Sequence, residues 1–171
     1  MSAAFGAGAL LFAVPEHKTR LPGGTRDSQS DILLLVRHDA GLAVYTVEGK
    51  VNEEFGPTVG DWLRDASPGK RERLRYICGL LGIDNCPMDA HYQLLHRTAS
   101  ALIEAERFDA RMAGMIVHSF SPENRWRDAF DRFAELLGWS DGNGEETLIR
   151  VPSGKSLMLG WASGSQHFRE M

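Results

Sequence analysis

Cysteine is scarce in this chain: its 171 residues hold two, Cys78 and Cys86. Their spacing matches no zinc or redox motif, and so few thiols fit a reducing, cytoplasmic location. Cys78, flanked by Ile77 and Leu80 in an expected helix, reads as a buried structural thiol. Long apolar runs are missing as well. No stretch of about 18 apolar residues exists, so no membrane-spanning helix and no membrane partner are expected. The start, Met1 to Val14, is apolar and rich in small residues but lacks the basic n-region of a signal peptide. It reads as a core element, truncated on its N-terminal side. An excess of positive charge is lacking too: 19 Lys and Arg stand against 23 Asp and Glu, a net charge of −4. Nucleic-acid binders usually carry a basic face, so strong sequence-independent DNA affinity is disfavoured. The one basic cluster, Lys70, Arg71, Arg73 and Arg75, reads as a solvated helix face.

Several catalytic signatures are also absent. The six histidines show no H-E-x-x-H spacing. No G-x-S-x-G elbow supports a serine hydrolase. Pro22-Gly23-Gly24 has no helix directly behind it and is not a phosphate loop. There is no internal repeat and no low-complexity tract.

What remains is an ordinary globular mix, 43% apolar and 25% charged. At this length it implies one domain with its own core. Leu10 to Leu21 reads as an edge or irregular strand broken by Pro15. Ile32 to Arg37 is a short apolar run suited to a buried strand. After the turn His38-Asp39-Ala40-Gly41, Leu42 to Val51 is a second strand, and the pair predicts an antiparallel hairpin. Three helices follow: one from near Thr58, one from Ser67 and Pro68 to Gly82, and one over about 90–108 with a one-sided apolar face. Met112 to Phe120 reads as a buried strand and Trp126 to Leu137 as an amphipathic helix ending at Gly138. Thr147 to Val151 and Ser156 to Trp161 read as a closing hairpin, after an acidic Gly-rich loop from Asp141 to Glu146. The order predicts an α/β (α+β) fold, a central mixed sheet flanked by helices.

The sharpest local feature is Val47-Glu48-Gly49-Lys50-Val51. Strand side chains alternate, so Glu48 and Lys50 share one side with Thr46. Charges on one side of a mostly apolar strand are costly unless paired or used. Counted outward from a turn centred on Ala40, Asp31 and Glu48 fall within one residue of facing each other across the hairpin. Two carboxylates converging at a sheet edge suit a hard cation, Mg²⁺ or Mn²⁺, and a lysine beside them can act on a water or on developing negative charge. That is the chemistry of phosphodiester hydrolysis. A structural ion-pair network of Glu48, Lys50 and Asp31 explains the same residues equally well. Other residues read first as ordinary structure: His96 as a surface or partly buried histidine ahead of one lining the site, His118 as a satisfied core histidine, Glu53 and Glu54 as a solvated strand end ahead of a further metal ligand, and Trp62, Trp126 and Trp139 as core or interface.

Ser30-Asp31, an apolar strand, a turn and Val47-Glu48-Gly49-Lys50 together resemble the restriction-endonuclease-like superfamily, the PD-(D/E)xK nucleases. Tyr92-Gln93-Leu94-Leu95-His96 resembles the Gln-bearing helix of several such enzymes, with Arg97 and Ser100 on Gln93's side. Ser30 stands where the motif has proline. The family's early helix is short or missing, with Glu16 the substitute for an acidic ligand it carries in some members. Phe55-Gly56-Pro57 and the string from His96 to Ala101 also resemble an uncharacterised bacterial domain family. The resemblance implies one nuclease-like domain over residues 1–171, with its core over about 10–120 and a C-terminal helix and strands over 124–161. It implies Asp31 and Glu48 as metal ligands, Lys50 assisting the attacking water and Gln93 positioning it. It further implies a nucleic-acid substrate, DNA ahead of RNA, and a homodimer would bring two sites to two strands. The alternative is a catalytically inactive nuclease fold serving as a binding or assembly scaffold, which fits the acidic net charge and the missing helix.

Overall fold

The fold follows from where the chain can turn. Asp39 and Ala40 link β2 (Ser28–His38) to β3 (Gly41–Lys50), and the strands pair antiparallel with Ile32 opposite Val47 and His38 opposite Gly41. The polar stretch after Leu21 returns β1 (Ala9–Thr19) antiparallel onto β2. In this computed structural model, which describes residues 8–139 and 148–165, three helices then carry the chain over the sheet. They are the single turn α1 (Val59–Trp62), α2 (Pro68–Leu81) and α3 (Tyr92–Arg107). β4 (Met112–Ser119) pairs parallel with β3, α4 (Arg127–Leu136) crosses back, and β6 (Ser156–Ser163) pairs parallel with β4. The short β5 (Ile149–Arg150) closes the far edge against β6. The sheet is mixed, in the order β1-β2-β3-β4-β6-β5, and helices flank it: an α+β fold, as the element order predicts.

Local chemistry sets the helix ends. The Ser67 hydroxyl accepts the Lys70 amide at 3.2 Å, Pro68 occupies the first turn, and Gly82 stops α2 at φ 74°, a left-handed conformation that suits glycine. α3 lies against β3, β4 and β2. Ala99, Ala101 and Ala105 are fully buried on it, so its backbone approaches the sheet closely. With Leu94, Leu95, Ile77, Phe130 and Phe133 they form the main core. A smaller cluster of Val36, Ala43, Tyr45 and Met112 occupies the opposite face of the sheet, as strand alternation requires.

Four expectations need correction. Residues 9–14 are not core: Leu10 is 60% exposed, and Leu11, Phe12 and Val14 also face solvent, because β1 is the outermost strand and has a neighbour on one side only. Pro15 does not break the strand; it is tolerated at this edge, where a missing N–H costs no ladder bond. The basic cluster is only half solvated. Arg71 and Arg75 are exposed, but Arg73 is buried and donates to the carbonyls of Leu21 and Pro22 at 3.2 and 2.8 Å, and Lys70 donates to the Trp62 carbonyl at 2.7 Å. Cys78 is half-buried rather than buried, and its thiol meets that of Cys86. Their hydrogen bond draws the Cys78 pKa down and drives that of Cys86 up. Asp141 to Glu146 and Thr147 lie outside the described residues. β6 runs on to Ser163, two residues past the expected hairpin strand.

Arg73 clamps the turn that leads into β2, and Gly23 lets that turn press on α2. Gly23 has φ 74°, and a Cβ there would lie 2.1 Å from the Gly69 carbonyl oxygen. Gly23→Ala is therefore expected to cost at least about 2 kcal/mol, combining left-handed strain with overpacking. Urea denaturation measures this; an unchanged midpoint would show that the turn is not held against α2.

Candidate site at the end of strand three

Glu48 and Lys50 lie at the carboxyl end of β3, where open sheets with parallel strands place their ligand crevices. Here β3, β4 and β6 run in parallel, and their ends are tied together. The Phe120 amide donates to the Lys50 carbonyl and the Gly164 amide to that of Ser119, each at 2.7 Å. The loop after β3 is also held. Glu53 accepts the amides of Val51 and Asn52, and the Trp126 indole donates to the Asn52 carbonyl at 3.1 Å. Glu53 and Glu54 are exposed, the solvated strand end expected.

Glu48 and Lys50 are each only 5% exposed, on the side that meets α3. Thr46, on the same side, donates to the Arg97 carbonyl at 3.1 Å. Gln93 and Arg97 stand one turn apart on α3, the spacing that aligns side chains along a helix, and both reach Glu48. The Arg97 Nε donates to Glu48 Oε2 at 2.6 Å. The Gln93 amide donates to Oε1, and Lys50 Nζ stands 3.5 Å from the same oxygen. Lys50 also donates to the Glu54 carbonyl at 3.3 Å and lies 5.3 Å over the Phe55 ring. Continued one step, the β2–β3 register sets Asp31 opposite Glu48. Its Oδ2 accepts the Gly49 amide at 2.7 Å, taking up a backbone donor at the frayed end of the ladder.

The four residues singled out in the sequence, Asp31, Glu48, Lys50 and Gln93, therefore meet. Burial pushes the Glu48 carboxyl above its ordinary range, and the negative charge of Asp31 adds to this; Arg97 and Lys50 pull the other way without cancelling it. The shift is upward because the carboxyl is buried, even with Arg97 and Lys50 paired to it. Asp31 and Glu48 are the oxygen donors able to hold a divalent cation, and two carboxylates suffice for Mg²⁺, which keeps several waters. Among the described residues no group of three or more His, Cys, Asp or Glu converges for a metal, so a cation here would complete its shell with water, backbone or substrate oxygens.

Three partners were not assigned to the site from the sequence. Arg97 was placed on Gln93's side, but nothing in the spacing showed it pairing with Glu48. Its Nη1 donates to Ser28 Oγ at 3.1 Å and lies 3.5 Å from His96 Nδ1, and Ser28 Oγ is 2.8 Å from the same histidine nitrogen. Ser100, expected on the same side, instead bonds back to the His96 carbonyl at 2.7 Å within α3. Glu16 is exposed on β1, where its carboxylate accepts from the Gln29 amide, and no bond joins it to Glu48 among the described residues. His118 is half-buried against Phe120, with ring centroids 4.4 Å apart.

His96 packs on Tyr92, and burial, followed by the charges of Arg97 and Arg73, lowers its pKa to about 3. The unfolded chain takes up its proton near pH 6.5, whereas the folded site refuses it until about pH 3. His96 thus contributes stability above pH 6.5 that is lost as the pH falls toward 3. The wild-type denaturation midpoint should drop between pH 6.5 and 4.5 by more than that of His96→Gln. Equal pH dependence in the two proteins would mean that His96 is not held neutral.

No curated protein and no solved structure matches the chain. A family model described as a domain of unknown function, DUF6946, matches residues 1–166, and the chain belongs to that family.

Proposed function

We propose that the protein hydrolyses phosphodiester bonds in nucleic acid with the help of Mg²⁺ or Mn²⁺, as a nuclease of the PD-(D/E)xK type. One observation carries this reading: Glu48 and Lys50, two residues apart on β3, are both buried beside Asp31 at the end of parallel strands, with Gln93 on Glu48. A buried carboxyl driven above its ordinary range beside charged partners is a candidate functional group. When bound, the cation would lower the pKa of a water and polarise a phosphoryl oxygen.

The chain's own groups would do the rest. Asp31 and Glu48 would hold the cation. The Lys50 ammonium, fixed by Glu54 and Phe55, would donate toward the attacking water or the charge growing on phosphate. The Gln93 amide, which can both donate and accept, would orient that water. DNA is placed ahead of RNA as substrate, and a homodimer would put two such sites on two strands. A cytoplasmic location accords with the two free thiols, and no helix among the described residues is long and apolar enough to cross a membrane.

A second reading, an inactive fold kept as a scaffold, draws on a different observation. Arg97 already occupies Glu48 Oε2, and Asp31 is bonded to a backbone amide.

The test is cleavage of plasmid, single-stranded DNA and RNA with Mg²⁺, Mn²⁺ or EDTA. Wild type should cleave only with metal. Glu48→Gln and Lys50→Ala should each lose at least about 100-fold, the scale of removing one group that stabilises developing charge. Variants as active as wild type would overturn the assignment of the site, and folded wild type that cleaves no substrate would leave the scaffold reading.

A further inference from the structure

The Glu48 carboxylate does not stand open. Its Oε2 is held by Arg97 at 2.6 Å, and its Oε1 by Gln93 and Lys50. We infer that Arg97 is the latch of this site: in the cation-free protein its guanidinium takes the place of the divalent ion on Glu48, and a cation binds only by displacing it. The inference rests on the cation-dependent reading above and concerns how that same site is controlled.

Three features support it. First, the two ligands are mutually exclusive in charge. A Mg²⁺ bound to a carboxylate sits about 2.1 Å from its oxygen. With Arg97 Nε still in place, two positive centres would lie roughly 3–4 Å apart in a buried site, where their repulsion is weakly screened. Second, Arg97 has somewhere to go. Its Nη1 is bonded to Ser28 Oγ, with His96 Nδ1 beside it, so the guanidinium can leave Glu48 while keeping that anchor. Ser28 and His96 supply no positive charge to repel it, because His96 is held neutral. Third, a released guanidinium at the mouth of a cation site is suited to phosphate, which it grips with paired N–H donors. The latch would therefore become a substrate contact once the cation is bound, so that an empty site neither binds nor positions a phosphodiester.

The experiment measures cation binding to the full chain stripped with EDTA, by calorimetry with Mn²⁺ alone. The proteins are wild type, Arg97→Gln, Arg97→Lys and Glu48→Gln. Arg97→Gln keeps a donor for Ser28 but removes the charge, and should bind Mn²⁺ about tenfold tighter than wild type. Arg97→Lys keeps the charge and should stay within about threefold of wild type. Wild type also reports without substitution: the side-chain Nε–H resonance of Arg97 in nitrogen-15 spectra should move on saturation with Mg²⁺, which keeps the proposal testable if Arg97→Gln does not fold. Equal Mn²⁺ affinity in wild type and Arg97→Gln, weaker binding by Arg97→Gln, or an unmoved resonance in Mg²⁺-bound wild type would overturn the latch while the cation site stands. Binding no stronger in wild type than in Glu48→Gln would overturn the latch and the cation-dependent reading together.

Discussion

A buried carboxylate needs positive charge, and the layer between α3 and β3 is organised around supplying it to Glu48. Removing such a group from water costs several kcal/mol unless partners offset it. Here the partners come from two elements, Arg97 and Gln93 from the helix and Lys50 from the same strand, and the Thr46 bond fixes the Arg97 backbone over the sheet. The remaining features of the region serve the same arrangement. Ala99, Ala101 and Ala105 let α3 approach closely enough for side chains of ordinary length to reach the strand. Arg73, buried under the turn before β2, fixes the segment that delivers Ser28 to Arg97. That so much charge is kept in a buried interface, where apolar side chains would pack at lower cost, is what supports the proposed use of the cluster.

Much of the frame was legible in the sequence, for local reasons. The β2–β3 register follows from a two-residue turn and strand alternation, and so the pairing of Asp31 with Glu48 could be counted out. Ser67, Pro68 and Gly82 mark both ends of α2 by the chemistry of their own backbones. What escaped was set by long-range contacts. Leu10 to Leu21 reads as an edge strand from Pro15, and β1 is one, but the apolar pattern of residues 9–14 does not say that their side chains stay exposed. Arg73 looks like its solvated neighbours because only the distant turn at Leu21 and Pro22 gives it a reason to be buried. The meeting of Cys78 with Cys86 depends on how the chain returns after Gly82, which spacing does not show.

At the site the same division holds. Glu48 and Lys50 were found because alternation on one strand is a local rule. Arg97 was placed on Gln93's side by helical spacing, yet its partner lies on another element. Ser28 carried no signal and His96 only that of standing next to Arg97, since a serine before a strand and a histidine inside a helix are each ordinary until the fold sets them at 2.8 Å.

The strand order has a consequence for assembly. β1, β2 and β3 are neighbours in sequence and can pair as soon as they are made, but β4 reaches β3 only after the whole α1–α3 crossover. Parallel pairing at such separation closes late, because loop entropy must be overcome before the contact rewards it. Until then β3, the strand that carries Glu48 and Lys50, is itself an open edge, with a row of unpaired backbone groups that could accept a strand from another chain. Two charged residues near its end oppose such pairing. The pair of charges buried in the finished molecule thus also guards the unfinished one against joining its neighbours.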